Sequence, residues 1–152
     1  MHTTANSEAK TERQRWMAVL ARATAGELAA ALGACPPLPA HSRLRGPEVG
    51  LVMVRARAGG GGSRFNFGEM SVTRCTVRAG AFTGHAYVAG RDPERAELAA
   101  RIDAALQDDG LRVHLMRHVV EPLRRAQAER RAETAAHAAA TKVEFFTMAT
   151  MR

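Results

Sequence analysis

A run of four glycines set between two segments of strand-like composition constrains this chain more than any other feature. Residues 49–57 read Val-Gly-Leu-Val-Met-Val-Arg-Ala-Arg, the glycines at 59–62 with Ser63 supply a turn, and residues 64–77 run back. Two extended segments joined by a short glycine-rich loop form an antiparallel hairpin. The middle of the first strand is apolar on both parities, which predicts that both of its faces are covered. Phe65 and Phe67 share one parity while Met70 and Val72 share the other, so a bulge near Gly68 is expected to reconcile them. A third strand is predicted at 84–89, after a turn at Gly80.

Helical spacing governs the rest. Over 8–23, Trp16, Val19, Leu20 and Ala23 recur at three- and four-residue intervals and make one apolar stripe. Thr24 followed by Glu27 is a capping-box pattern that starts a second, short helix, ended by Gly33 and the prolines at 36, 37 and 39. Asp92-Pro93-Glu94 opens another helix, with Asp as cap, Pro in the first turn and Glu at the positive end. Leu98, Ile102, Ala105 and Leu106 form its buried stripe, and Glu97 and Arg101 are spaced to pair on the exposed side. A further helical region runs to Ala140 with an interruption before Pro122, and 143–148 reads as a final strand or docking tail. This order predicts one α+β domain over 1–152, with an antiparallel three- to four-stranded sheet built on the central hairpin and packed with N-terminal and C-terminal helices. Residues 1–10 are polar and expected to be disordered, and 142–152 form the C-terminal strand or tail.

The chain has 152 residues and a net charge of +7, with Arg far in excess of Lys. Such a field favours anionic partners, and guanidinium forks suit phosphate or carboxylate, although an Arg-rich solvated surface gives the same count. Arg55, Arg57, Arg64, Arg74 and Arg78 all fall on the hairpin. If Arg57, Arg64 and Arg74 meet beside the glycine turn, they form a cationic patch for a polyphosphate or an acidic surface; otherwise they are solvated edges. The glycine run lacks the Lys-Ser/Thr ending of a P-loop and precedes a strand, so it reads first as a flexible hairpin tip and second as a phosphate nest. His114 and His118 have a zinc-compatible spacing with Glu121 nearby, but no second cluster completes a tetrahedral site, and no metal is expected. His85 stands alone in a strand. No nucleophile elbow, carboxylate pair or dinucleotide fingerprint is present, so no catalytic residue is assigned. Cys35 and Cys75 fit free thiols in a reduced compartment. With no apolar leader and no long apolar run, a cytoplasmic protein is expected, off the membrane.

Specific segments carry a family resemblance. Arg13-Gln14-Arg15-Trp16-Met17-Ala18-Val19-Leu20-Ala21 with Glu27-Leu28-Ala29 resembles the N-terminal signature of the PhnG family, the G subunits of the bacterial carbon–phosphorus lyase core complex. Glu48-Val49-Gly50-Leu51-Val52 and the stretch from the glycines through Ser63-Arg64-Phe65-Asn66-Phe67-Gly68-Glu69 resemble its central hairpin. Thr73-Arg74-Cys75-Thr76-Val77-Arg78, Gly90-Arg91-Asp92, Ile102-Asp103-Ala104-Ala105-Leu106-Gln107 and Lys142-Val143-Glu144-Phe145-Phe146-Thr147-Met148 continue it in order. Arg95 stands where the family often has His, and the ending Ala149-Thr150-Met151-Arg152 differs from the family's usual one.

The resemblance implies an accessory, non-catalytic subunit working with H, I and J subunits and an ATPase-like L subunit. Together they would form alpha-D-ribose 1-methylphosphonate 5-triphosphate and adenine from ATP and methylphosphonate. It implies no cofactor on this subunit alone, ATP being a substrate of the complex. Arg57, Arg64, Thr73 and Arg74 are then candidates for phosphate binding or an interface, and Arg91, Phe145 and Phe146 for an interface. A free-standing basic nucleic-acid-binding module is the alternative, weakened by too few aromatics for a stacking platform, and DNA binding is not expected.

Overall fold

The computed structural model describes residues 11–58 and 61–143. Three antiparallel strands in the order β1-β2-β3 (Ser42–Arg57, Arg64–Ala79, Phe82–Ala89) pack with helices from both ends of the chain, an α+β fold. Before the sheet come α1 (Glu12–Leu20) and α2 (Ala25–Leu32). After it come α3 (Pro93–Leu106), α4 (Asp109–Leu115), a π-helical turn at Met116–Val120, and α5 (Glu121–Ala140). The predicted interruption before Pro122 is that π-helical turn. The predicted C-terminal strand at 143–148 lies, but for Val143, outside the described residues, as does 1–10. No described helix is long and apolar enough to cross a membrane.

Local chemistry explains the helix starts. Both α1 and α2 open on complete capping boxes: Thr11 with Gln14, and Thr24 with Glu27. The first, invisible to the apolar periodicity, starts α1 at Glu12 rather than at 8. Asp92 caps α3 by accepting from the Arg95 backbone N–H at 3.0 Å.

The core lies between α3 and one face of the sheet. Cys75, Val77 and Ala79 of β2 and Ala86 and Val88 of β3 meet Ala96, Ala99, Ala100, Ala104 and Ala105, all buried, while Trp16, Leu20, Leu28 and Val119 close the far side. Small residues on α3 allow a close approach, and the tightest point is Gly84. A Cβ there would stand 1.9 Å from the Ala100 carbonyl oxygen and 2.7 Å from the Ala104 backbone nitrogen. Since backbone rather than a movable side chain fills that space, Gly84→Ala should destabilise the fold by about 2–3 kcal/mol, seen as a lower urea midpoint. An unchanged midpoint would mean that α3 does not rest on β3 there.

The hairpin departs from expectation in two ways. β1 begins at Ser42, because the stretch before Val49 pairs with the end of β2 from Ser42↔Arg78 onward, through register shifts around Arg45 and a cis Gly46–Pro47 bond. More consequentially, its faces are not both covered. Val72 pairs with Ala89, the end of β3, so in the strand ladder residues 51–57 and 64–71 pair only with each other. They form a two-stranded arm about 26 Å long at about 3.3 Å per residue. Leu51 is 64% exposed and Phe67 72%, and Val49, Met53, Phe65 and Met70 are exposed as well. An apolar strand core signals that a cover exists, but not which chain supplies it. The bulge is where the alternation places it: Val54 faces Gly68 and Arg55 faces Asn66, leaving Phe67 unpaired.

Candidate functional site

The bulge decides where the hairpin arginines point. Paired residues share a face of the ribbon. Arg57 lies opposite Arg64, and Arg55 opposite Asn66, on the face that continues through Met53, Leu51 and Val49 to Thr73. Arg74 lies opposite Glu48 on the other face and ten positions along β2 from Arg64, about 33 Å at about 3.3 Å per residue. The expectation that Arg57, Arg64 and Arg74 line one surface is therefore corrected. Arg57 and Arg64 form an exposed pair at the arm tip, and Arg74 belongs to the domain body.

Thr73, a candidate for phosphate binding or an interface, lies inside the fold. It is fully buried, donates to the Gly90 carbonyl at 2.7 Å and accepts from the Asp92 backbone N–H at 3.0 Å, tying β2 to the turn that enters α3. Arg91 is exposed in that turn. Phe145 and Phe146 lie outside the described residues.

The face of the sheet turned away from α3 gathers the polar chemistry. Two cross-strand rows run over it, Glu48–Arg74–Tyr87 and Arg45–Thr76–His85. One oxygen of Glu48 accepts from Arg45 Nε at 2.6 Å and from Arg74 Nε at 2.5 Å. Arg45 and, next, Arg74 hold that carboxyl below its ordinary value. Thr76 Oγ1 and His85 Nδ1 are 3.2 Å apart. Sequence reasoning missed this group because the expected strand starts only at Val49, and only the register shifts around Arg45 bring Arg45 and Glu48 together beside Arg74.

Elsewhere the charged residues are structural. Glu97 pairs with Arg43 at 2.6 Å and with His41 at 2.8 Å, not with Arg101 as its helical spacing suggested, because β1 reaches further back than expected. Those partners, Arg43 first, lower the Glu97 carboxyl. His114 and His118 stack with ring centroids 4.3 Å apart, Glu121 is taken by Arg124, and no described group of three or more His, Cys, Asp or Glu side chains is placed to hold a metal. Asp103 is fully buried and accepts from Arg13 Nε and Nη2, Trp16 Nε1 and the His85 backbone N–H. It joins α1, β3 and α3. Cys35 and Cys75 are free thiols, both pushed up by burial.

Comparison with known proteins adds an independent line. Residues 11–150 match the family model described as phosphonate metabolism protein PhnG. A curated relative from Rhizobium meliloti (strain 1021), named alpha-D-ribose 1-methylphosphonate 5-triphosphate synthase subunit PhnG, is 45% identical over 140 residues, which cover 90% of this chain and 88% of the relative.

Proposed function

The chain belongs to the PhnG family, and from that premise we propose that it is an accessory subunit of the carbon–phosphorus lyase core complex. Its part is to help form alpha-D-ribose 1-methylphosphonate 5-triphosphate and adenine from ATP and methylphosphonate. Its partners in this reading are the H, I and J subunits, with an ATPase-like L subunit for the coupled reaction, in the cytoplasm. It binds no cofactor by itself, and ATP enters as a substrate of the complex.

The observation that carries the reading is the arm. An isolated two-stranded ribbon is marginal in water, and one that is apolar on both faces exposes surface that a monomer rarely leaves uncovered. A subunit whose cover comes from neighbouring chains accounts for it. In this reading Arg57 and Arg64 at the arm tip, and Arg91 beside the sheet, contact acidic groups of those neighbours. The split of the arginines between opposite faces, and the ion pairs that occupy Arg13, Arg43, Arg45, Arg74 and Arg130, disfavour a continuous nucleic-acid track.

Co-expression with the H, I and J subunits followed by size-exclusion chromatography tests the reading. The chain should co-elute with them, and adenine release from ATP and methylphosphonate should require it. Alone, the chain should release no adenine. Turnover by the isolated chain, tracking its concentration and lost on mutation within it, or its separate elution from all three partners, would overturn the proposal.

A further inference from the structure

On the reading that neighbouring chains cover the arm, on which this inference rests, we propose that the outer edge of β1 pairs with an extended segment of a partner subunit, which adds a strand to the ribbon. β1 is an edge of the sheet, and among the described residues no strand lies on its outer side. The register fixes where its open backbone groups point. On the β3 side of β2, the Gly90 N–H donates to the Ser71 carbonyl at 2.8 Å, so Ser71 turns its backbone groups away from β1. Leu51 lies opposite Ser71. In an antiparallel ladder such a pair exchanges no hydrogen bonds, and the N–H and C=O of Leu51 point outward. Val49, Met53 and Arg55 share that parity, and the extra residue of the bulge sits on β2, so their backbone groups point outward as well.

The other open edge of the arm is a poorer template. Residues 64–70 of β2 lie beyond the end of β3, but they include the bulged Phe67, Gly68 and the charge of Glu69, which twist and interrupt an edge. β1 keeps its proline, Pro47, and the ion pairs of Arg43, Arg45 and Glu48 at its base. From Val49 to Val54 it has neither proline nor charge. Soluble monomers avoid leaving an apolar strand edge of that kind open.

The side chains define the occupant. Val49, Leu51 and Met53 are exposed on one face, and Val52 and Val54 are half-buried on the other. An added strand lies level with both sets, so the segment is apolar at both parities where it runs beside 49–54. Toward the tip, Arg55 and Arg57 are exposed and have no ion-pair partner among the described residues. They call for Asp or Glu at that end of the segment. A second copy of β1 lacks such a group, because its one carboxylate, Glu48, already holds Arg45 and Arg74. Main-chain hydrogen bonds then supply affinity, and the acidic residue sets register.

Amide hydrogen exchange tests this, with the full chain alone compared with the complex co-expressed with the H, I and J subunits. In the isolated chain the amides of Leu51, Met53 and Arg55 should exchange faster than those of Val52 and Val54, which face β2. In the complex the first three should slow by at least about a hundredfold. Met53→Pro removes one outward N–H, a change that edge strands tolerate. It should weaken association at least about tenfold more than Met53→Ala, which keeps the amide. Circular dichroism of each isolated variant reports that it is folded, and the exchange readout needs no variant. A complex in which these amides exchange as fast as in the free chain, or equal association by folded Met53→Pro and Met53→Ala, would overturn the added strand and leave an arm docked by its faces. Elution apart from all three partners would remove the subunit reading and the added strand together. Protection of the same amides in the isolated chain, at the mass of two copies, would assign the edge to a second copy and overturn the proposal.

Discussion

Asp103→Ala should lower the stability of the isolated chain by about 3–5 kcal/mol, more than removal of its ion-pair partner Arg13. Leaving a buried donor without an acceptor costs about 1–3 kcal/mol. The substitution orphans the buried Trp16 indole N–H at 2.8 Å and the part-buried His85 backbone N–H at 2.9 Å. It also releases Arg13, whose Nη2 lies 2.7 Å from the carboxylate, but that side chain is 37% exposed and regains water. Arg13→Ala is accordingly expected to cost only about 1–2 kcal/mol, since hydrogen bonds to charged groups contribute about 1.5–3 kcal/mol and solvation recovers part. Asp103→Asn separates charge from shape: its amide NH₂ would face donors, so it should fall between the two. Urea unfolding with an unchanged slope reads all three. Equal losses for Arg13→Ala and Asp103→Ala would show that the ion pair, and not the orphaned donors, dominates.

The second large effect is on assembly and not on stability. Leu51→Asp with Met53→Asp alters one face of the arm, and Phe65→Asp with Met70→Asp the other. Because these side chains are exposed and lie beyond β3, each substitution should change the isolated chain's stability by no more than about 0.5 kcal/mol. Buried aromatic and apolar anchors at an interface are worth about 2 kcal/mol or more each, so a pair of charges should weaken association at least about a hundredfold. Co-elution with the partner subunits should be lost for both double variants if neighbours cover both faces, and for only one if a single face docks. Retention of full assembly by both would remove the arm from the interface.

Much of the local structure is written in short-range chemistry. The Thr24–Glu27 capping box, the Asp92-Pro93 helix start, the stripe of Trp16, Val19, Leu20 and Ala23, and the bulge beside Gly68 each depend on residues within a few positions of one another. Those are the interactions a linear pattern records, and they sufficed for the α+β class and the hairpin. The ordered segments shared with the PhnG family, from Arg13 to the Lys142 motif, likewise needed no coordinates.

What the tertiary structure decided is every feature that depends on partners distant in the chain. Residues 42–48 lie before the expected strand at 49–57, and only pairing with the end of β2 makes that stretch a strand. Glu97 and Arg101 have the right helical spacing, yet Arg43 of β1 offers Glu97 a better fork. The parity of Arg64 and Arg74 suggested one face, and a single unpaired residue at Phe67 inverted it, since each step along a strand reverses the side chain's direction. Asp103 could not announce its donors, which come from positions 13, 16 and 85. The apolar arm shows the same limit from the opposite side: hydrophobic alternation records that a surface is to be buried, but the identity of its cover is a property of contacts between segments or between chains, and those arise only when the fold places them.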